Sequence, residues 1–179
     1  MRSSLCALSL LVSAIPLLTV GCAGNGGNNG GGESAVAKAP PVEAAPPSKP
    51  FEWGEIKGRG PIDPDAPKTF TKTGSGLKYR VLRKTDGRKP TVRDSVEVNY
   101  HGATDDGNVF DSSYDRGEPI SFPLGGVIPG WTEGMQKVGE GGMIELEIPS
   151  DLGYGPRGSP PNIPGGATLH FIVELIAIK

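Results

Sequence analysis

Cysteine and histidine are scarce in this chain, with two of each among 179 residues. Cys6 and Cys22 stand near the start and His101 and His170 stand far apart, so no zinc spacing occurs. Asp105, Asp106 and Asn108 lack the spacing of a calcium loop, and no metal is expected. Ser112, Ser113, His101 and Asp111 hold the residue types of a hydrolase triad, but no Gly-x-Ser-x-Gly elbow accompanies them. No glycine-rich loop opens a helix to cradle phosphate, and no cofactor is expected. Charge of either sign is not in excess: 18 basic and 20 acidic side chains leave a net charge of −2. Electrostatics therefore provides no reason to expect nucleic acid as a partner. Hydrophobic residues reach only 36%, while glycine and proline number 28 and 18. Part of the chain should therefore not pack at all.

Long apolar runs are also missing, with one partial exception. Arg2 precedes an apolar run from Leu5 to Val20 that Pro16 interrupts. The run is short for a membrane span and reads as an export signal over residues 1–21. Gly21-Cys22 at its end resembles a bacterial lipobox, although Thr19 stands where that pattern prefers an aliphatic residue. Cleavage there removes Cys6 and leaves Cys22 without a disulfide partner, and acylation explains a lone thiol in an exported protein. Several acyl chains on Cys22 would anchor firmly, since each buried methylene contributes about 0.8 kcal/mol. The alternative is an ordinary secretory signal cleaved near the same place. Ala23, rather than Asp, follows the cysteine, which is compatible with the periplasmic face of the outer membrane by analogy with lipoproteins. The expected location is therefore the bacterial cell envelope.

Residues 22–70 read as a tether. The stretch 23–32 is almost wholly Gly and Asn, and 35–50 is rich in Ala and Pro; neither has apolar periodicity. As a coil, this segment holds the C-terminal part of the chain on the order of 40 Å from the anchor. Phe51, Trp53, Ile56 and Phe70 could dock on the domain beyond, so residues 51–70 read as linker with docking left open.

From residue 71 the pattern changes to period two. Leu77, Tyr79 and Val81 alternate with Lys78 and Arg80, and Val96, Val98 and Tyr100 with Ser95, Glu97 and Asn99. Ile144, Leu146 and Ile148 alternate with Glu145 and Glu147, and Leu169, Phe171, Val173 and Leu175 with His170, Ile172 and Glu174. Asp86-Gly87 and the 105–108 stretch carry turn chemistry. Only 131–138 allows a helix, with Trp131, Met135 and Val138 at i, i+4 and i+7. Residues 71–179 are thus expected to form an α+β domain, an antiparallel sheet with one face buried and one short helix across it.

What remains unusual is aromatic. Tyr154 lies in a loop of Gly and Pro, and Val127 to Trp131 enter the helix; loops seldom bury such residues unless they close over something. Val109-Phe110-Asp111-Ser112-Ser113, Val127-Ile128-Pro129-Gly130-Trp131, Gly153-Tyr154-Gly155, Ile163-Pro164 and Ala167-Thr168-Leu169 follow in order. Their order and spacing, from about Lys72 to the end, resemble the FKBP family of peptidyl-prolyl isomerases, the receptors of immunosuppressive macrolides. The resemblance implies a curved antiparallel sheet wrapped around a short helix. It also implies isomerisation of X-Pro bonds, assisting the folding of exported proteins, with proline-containing polypeptides as substrates and macrolides as inhibitors.

By motif, the resemblance places Tyr100, Phe110, Asp111, Trp131, Tyr154 and Phe171 in a catalytic pocket. Trp131 is its floor, with Tyr100 and Phe171 as walls. Arg116, Ile120, Val127, Ile128 and Ile163 are implied in substrate binding, and Arg116 is implied to pair with Asp111. Ile120, Ser159 and Asn162 depart from common choices and put substrate preference in question. A second class, a non-catalytic chaperone that holds proline-containing segments, uses the same pocket. With no added helical domain to dimerise through, a monomer is expected.

Overall fold

The alternating segments become strands. The computed structural model describes residues 51–179; the stretch read as an export signal, Cys22 and the Gly/Asn- and Ala/Pro-rich stretches fall outside the described residues. The strands are β1 (Thr71–Lys72), β2 (Lys78–Arg83), β3 (Ser95–Thr104), β4 (Val109–Ser112), β5 (Ile120–Pro123), β6 (Met143–Ile148) and β7 (Leu169–Ile178). They form one sheet in the order β1-β2-β6-β7-β3-β4, with β5 also on β3, and every pairing is antiparallel.

The long strand β3 organises the site. One flank pairs with β7 from Val96 to Thr104. The other is shared: β5 takes residues 95–98 and β4 takes 101–103. Between them the Tyr100 N–H has no strand to donate to, and it donates instead to Ser113 Oγ at 2.8 Å. That hydroxyl in turn donates to Asn99 Oδ1 at 3.0 Å. A buried backbone donor left unpaired costs about 1–3 kcal/mol, which accounts for a fully buried serine at this point.

The helix expected over 131–138 is α2, Pro129–Met135. Pro129 starts it, since proline has the helical φ and no N–H to leave unpaired. Val138 lies past its end yet remains buried in the core. The helix lies close on β6 through two glycines. A Cβ on Gly130 would stand 2.4 Å from Ile148 Cγ2, and one on Gly134 would stand 2.6 Å from Leu146 Cδ2. Trp131, Met135 and Val138 pack with Val96, Val98, Tyr100, Leu146, Phe171 and Val173 in the main core.

A second helix, α1 (Ser113–Arg116), carries no periodic signal in the sequence. It is a single turn, capped by Ser112 Oγ and closed by Gly117 at φ 78°. Four residues are too few to show apolar periodicity.

The expectation of one buried face also needs correction. The first five residues of β7 are all buried, including His170 and Ile172 on the face away from α2. The cover is the segment 51–70, which has no strand or α-helix of its own. Trp53 and Ile56 pack on Leu82, Met143 and Ile172. Phe51 stacks on His170 at 4.2 Å. Backbone bonds add to this, with Asp63 N–H donating to Leu82 O at 2.8 Å. Glu145, polar by alternation, is buried beneath the segment and accepts from Arg80 Nε at 2.6 Å and Trp53 Nε1 at 2.8 Å. Both of its oxygens thus have donors, which offsets the cost of burying the polar group.

Candidate active site

A cavity of about 580 Å³ opens between the α2 face of the sheet and the loops above it. Each element contributes at a defined point. Tyr100 comes from β3, Phe110 and Asp111 from β4, Arg116 from α1, and Ile120 and Phe122 from β5. Gly126, Val127 and Ile128 come from the approach to α2, Trp131 from α2, Tyr154 from the loop after β6, and Phe171 from β7. In strands, residues two apart share a face, which is why Ile120 and Phe122 arrive together.

Three rings stand edge-on to the Trp131 indole. Tyr100 lies at 5.3 Å and 87°, Phe171 at 5.2 Å and 85°, and Phe122 at 5.9 Å and 84° between centroids and planes. Phe110 then meets Phe171 at 5.4 Å and 83°. Perpendicular contacts place ring edges against ring faces, the favoured electrostatic arrangement, and they hold the floor and walls rigidly. The indole is 4% exposed, so it is a floor set into the core.

One polar network borders this apolar space. The Tyr100 hydroxyl donates to Asp111 Oδ2, Arg116 Nη1 donates to Asp111 Oδ1, and Arg116 Nη2 donates to the Tyr100 oxygen at 3.1 Å. The guanidinium also lies over the Tyr100 ring, 5.6 Å from its centroid. Burial, reinforced by the neighbouring Asp111 carboxylate, pushes the Tyr100 phenol up to about 12. For Asp111, burial opposes ionisation, but the hydrogen bonds from Tyr100 and Arg116 and the guanidinium charge outweigh it and hold the carboxyl below its ordinary value. Arg116 is raised, first by its bond to Asp111. The network is thus a neutral phenol, a carboxylate and a guanidinium across the neutral range.

Ten of the eleven pocket residues implied by motif meet at this cavity. Ile163 does not. Ser159 and Ile163 exchange backbone bonds at 2.8 and 3.0 Å, and the turn so formed sends the Ile163 side chain into the main core, 5% exposed. Ser159 and Asn162 are exposed and likewise off the lining, so of the three departures only Ile120 touches the cavity. Phe122 and Gly126 line it although no motif points to them. Phe122 was legible as the same-face neighbour of Ile120; Gly126 offers no side chain to read.

A curved antiparallel sheet closed over a short helix by an aromatic-lined cavity defines the FKBP-type class. The chain belongs to that family: the family described as FKBP-type peptidyl-prolyl cis-trans isomerase matches residues 86–176. Among curated relatives, it is 48% identical over 126 residues to FKBP-type peptidyl-prolyl cis-trans isomerase FkpA of Escherichia coli K12, covering 70% of this chain and 46% of that one. It is 45% identical over 105 residues to peptidyl-prolyl cis-trans isomerase Mip of Coxiella burnetii, covering 59% and 46%. The crystal structure of FkpA from Escherichia coli superposes with a TM-score of 0.61 at 49% identity, covering 63% of this chain and 53% of that one. The chain spans about half the length of the curated relatives it matches.

Proposed function

We propose that the protein is a peptidyl-prolyl cis–trans isomerase acting on proline-containing segments of exported polypeptides. The observation that carries this is the Trp131 floor with its three perpendicular rings, bordered by the ionised Asp111–Arg116 pair. Rotation about an X-Pro bond breaks amide resonance and meets a barrier of about 18–20 kcal/mol. No bond to another atom is made, so no nucleophile is required. Water favours the planar, charge-separated amide, and an apolar cavity removes that preference. The proline ring sits on Trp131, against Phe171 and Ile128. The Ile128 N–H and the hydroxyl of Tyr154, which is 42% exposed, hold flanking carbonyls. Asp111, charged because of Arg116, fixes the Tyr100 hydroxyl as a donor to the carboxylate and keeps the wall in place. Lowering the barrier by about 5–6 kcal/mol accelerates rotation roughly ten-thousand-fold. A protease-coupled assay on a proline tetrapeptide tests the reading, and a macrolide of the FKBP-binding type is expected to compete. Rotation no faster than the uncatalysed rate would overturn it.

The second part of the proposal is an envelope location through a lipid on Cys22, supported by the export signal and the Gly21-Cys22 pair. Cells fed labelled palmitate are expected to label the wild type but not Cys22→Ser. An unlabelled wild type refutes the anchor and leaves the isomerase assay untouched.

A further inference from the structure

His101 follows Tyr100 in β3, so the pleat turns its ring to the face of the sheet opposite the cavity. There its Nδ1 lies 3.0 Å from Ser112 Oγ. The same Ser112 oxygen caps α1, accepting from the Asp115 N–H at 3.2 Å. With that oxygen accepting, the hydroxyl proton is free to point at a neutral imidazole nitrogen. The cap matters here because α1 is one turn, too short to hold itself by its own hydrogen bonds. Asp111 lies just before this turn and Arg116 lies at its end. Trp53 of the covering segment closes over the imidazole edge-on at 5.8 Å.

We infer that His101 is a positioning residue for the pocket: acting through Ser112 from the far face of the sheet, it sets where α1 presents Arg116 to Asp111 and Tyr100. The inference rests on the isomerase reading for its kinetic consequence, but not for its geometry. The cavity groups do not change charge in the neutral range, since Asp111 is lowered, Tyr100 lies at about 12 and Arg116 is raised. His101 differs. The groups around it are Asp115 and Ser112 from the α1 side, Trp53 with Glu145 behind it, and on β7 its register partner Ile172, with His170 and Glu174 two residues to either side on the same face. Burial lowers its proton affinity, with Asp115 opposing. The fold therefore favours the neutral ring: the arrangement is intact above the free imidazole value of about 6.5 and is lost as pH falls through the lower folded value. On protonation Nδ1 becomes a donor, and the Ser112 hydroxyl must turn away.

The experiment compares the whole protein with two variants. His101→Phe keeps a ring against Trp53 but removes the acceptor. His101→Asn keeps a polar group toward Ser112 but does not titrate. At about pH 7.5, His101→Phe is expected to lower kcat/KM about fivefold, the scale of a lost cap, while His101→Asn stays within about twofold. Towards acid, wild-type kcat/KM declines and His101→Asn stays flat. The backbone amide of Asp115 and the Nε–H of Arg116, followed by NMR, are expected to shift in His101→Phe. Should that variant not fold, the same Asp115 and Arg116 signals are followed in the wild type towards acid, where they are expected to shift together with the decline in kcat/KM while those of His101→Asn stay in place. Unmoved Asp115 and Arg116 signals, or an acid decline in His101→Asn equal to the wild type's, would overturn the inference. A wild type without isomerase activity overturns the proposed function instead.

Discussion

Replacing Trp131 by Ala is expected to cost about 3–5 kcal/mol of stability and to lower kcat/KM by more than about a hundredfold. Both effects follow from one placement. The indole is 4% exposed, so its removal opens a cavity in the main core. The rings of Tyr100, Phe122 and Phe171 each lose the face they abut. Trp131→Leu separates the two consequences. Leucine restores much of the buried volume, so the stability loss shrinks to about 2 kcal/mol. It provides no flat surface, so the large loss of isomerisation remains. Urea unfolding and the protease-coupled assay read the two quantities independently. A Trp131→Leu protein as active as the wild type would show that the floor contributes nothing beyond packing.

Gly102→Ala is the second large effect, and it reaches the pocket from β3. A Cβ on Gly102 would lie 2.7 Å from Phe171 Cε1 and 2.8 Å from Phe110 Cζ. Both rings line the cavity, and they meet each other at 5.4 Å. The added methyl therefore displaces walls of the site. Overpacking of this kind costs about 1–3 kcal/mol. The kinetic loss is expected to exceed that of a global destabilisation, because the rings move into the space that the proposed function assigns to the proline ring, and substrate affinity is then expected to fall. Gly74→Ala is the control: a Cβ there meets nothing within 4 Å, and both stability and kcat/KM are expected to stay unchanged. If both variants behave alike, Gly102 has no special relation to the walls.

Much of this molecule was legible from the amino-acid sequence alone. The alternation at Val96, Val98 and Tyr100, or at Leu169, Phe171 and Val173, defines strands because a pleat has period two and one face was bound for a core. Trp131 and Met135, four apart, share a helix face for an equally local reason. The helix limits were less clear, since Val138 keeps the apolar spacing after the helix has ended.

By itself, then, the sequence determined the four longer strands β2, β3, β6 and β7, the one amphipathic helix and ten of the residues that ring the cavity, because each follows from a local period or an ordered motif. Only the tertiary structure decided the rest. Ile163 turned inward because the Ser159–Ile163 backbone pair aims it there. Ser113 is buried because β4 and β5 divide one flank of β3 and leave the Tyr100 N–H between them. The 51–70 segment packs although it has no period, because Phe51, Trp53 and Ile56 find apolar and aromatic partners from four different strands. Such partners are distant in sequence, and only folding brings them together.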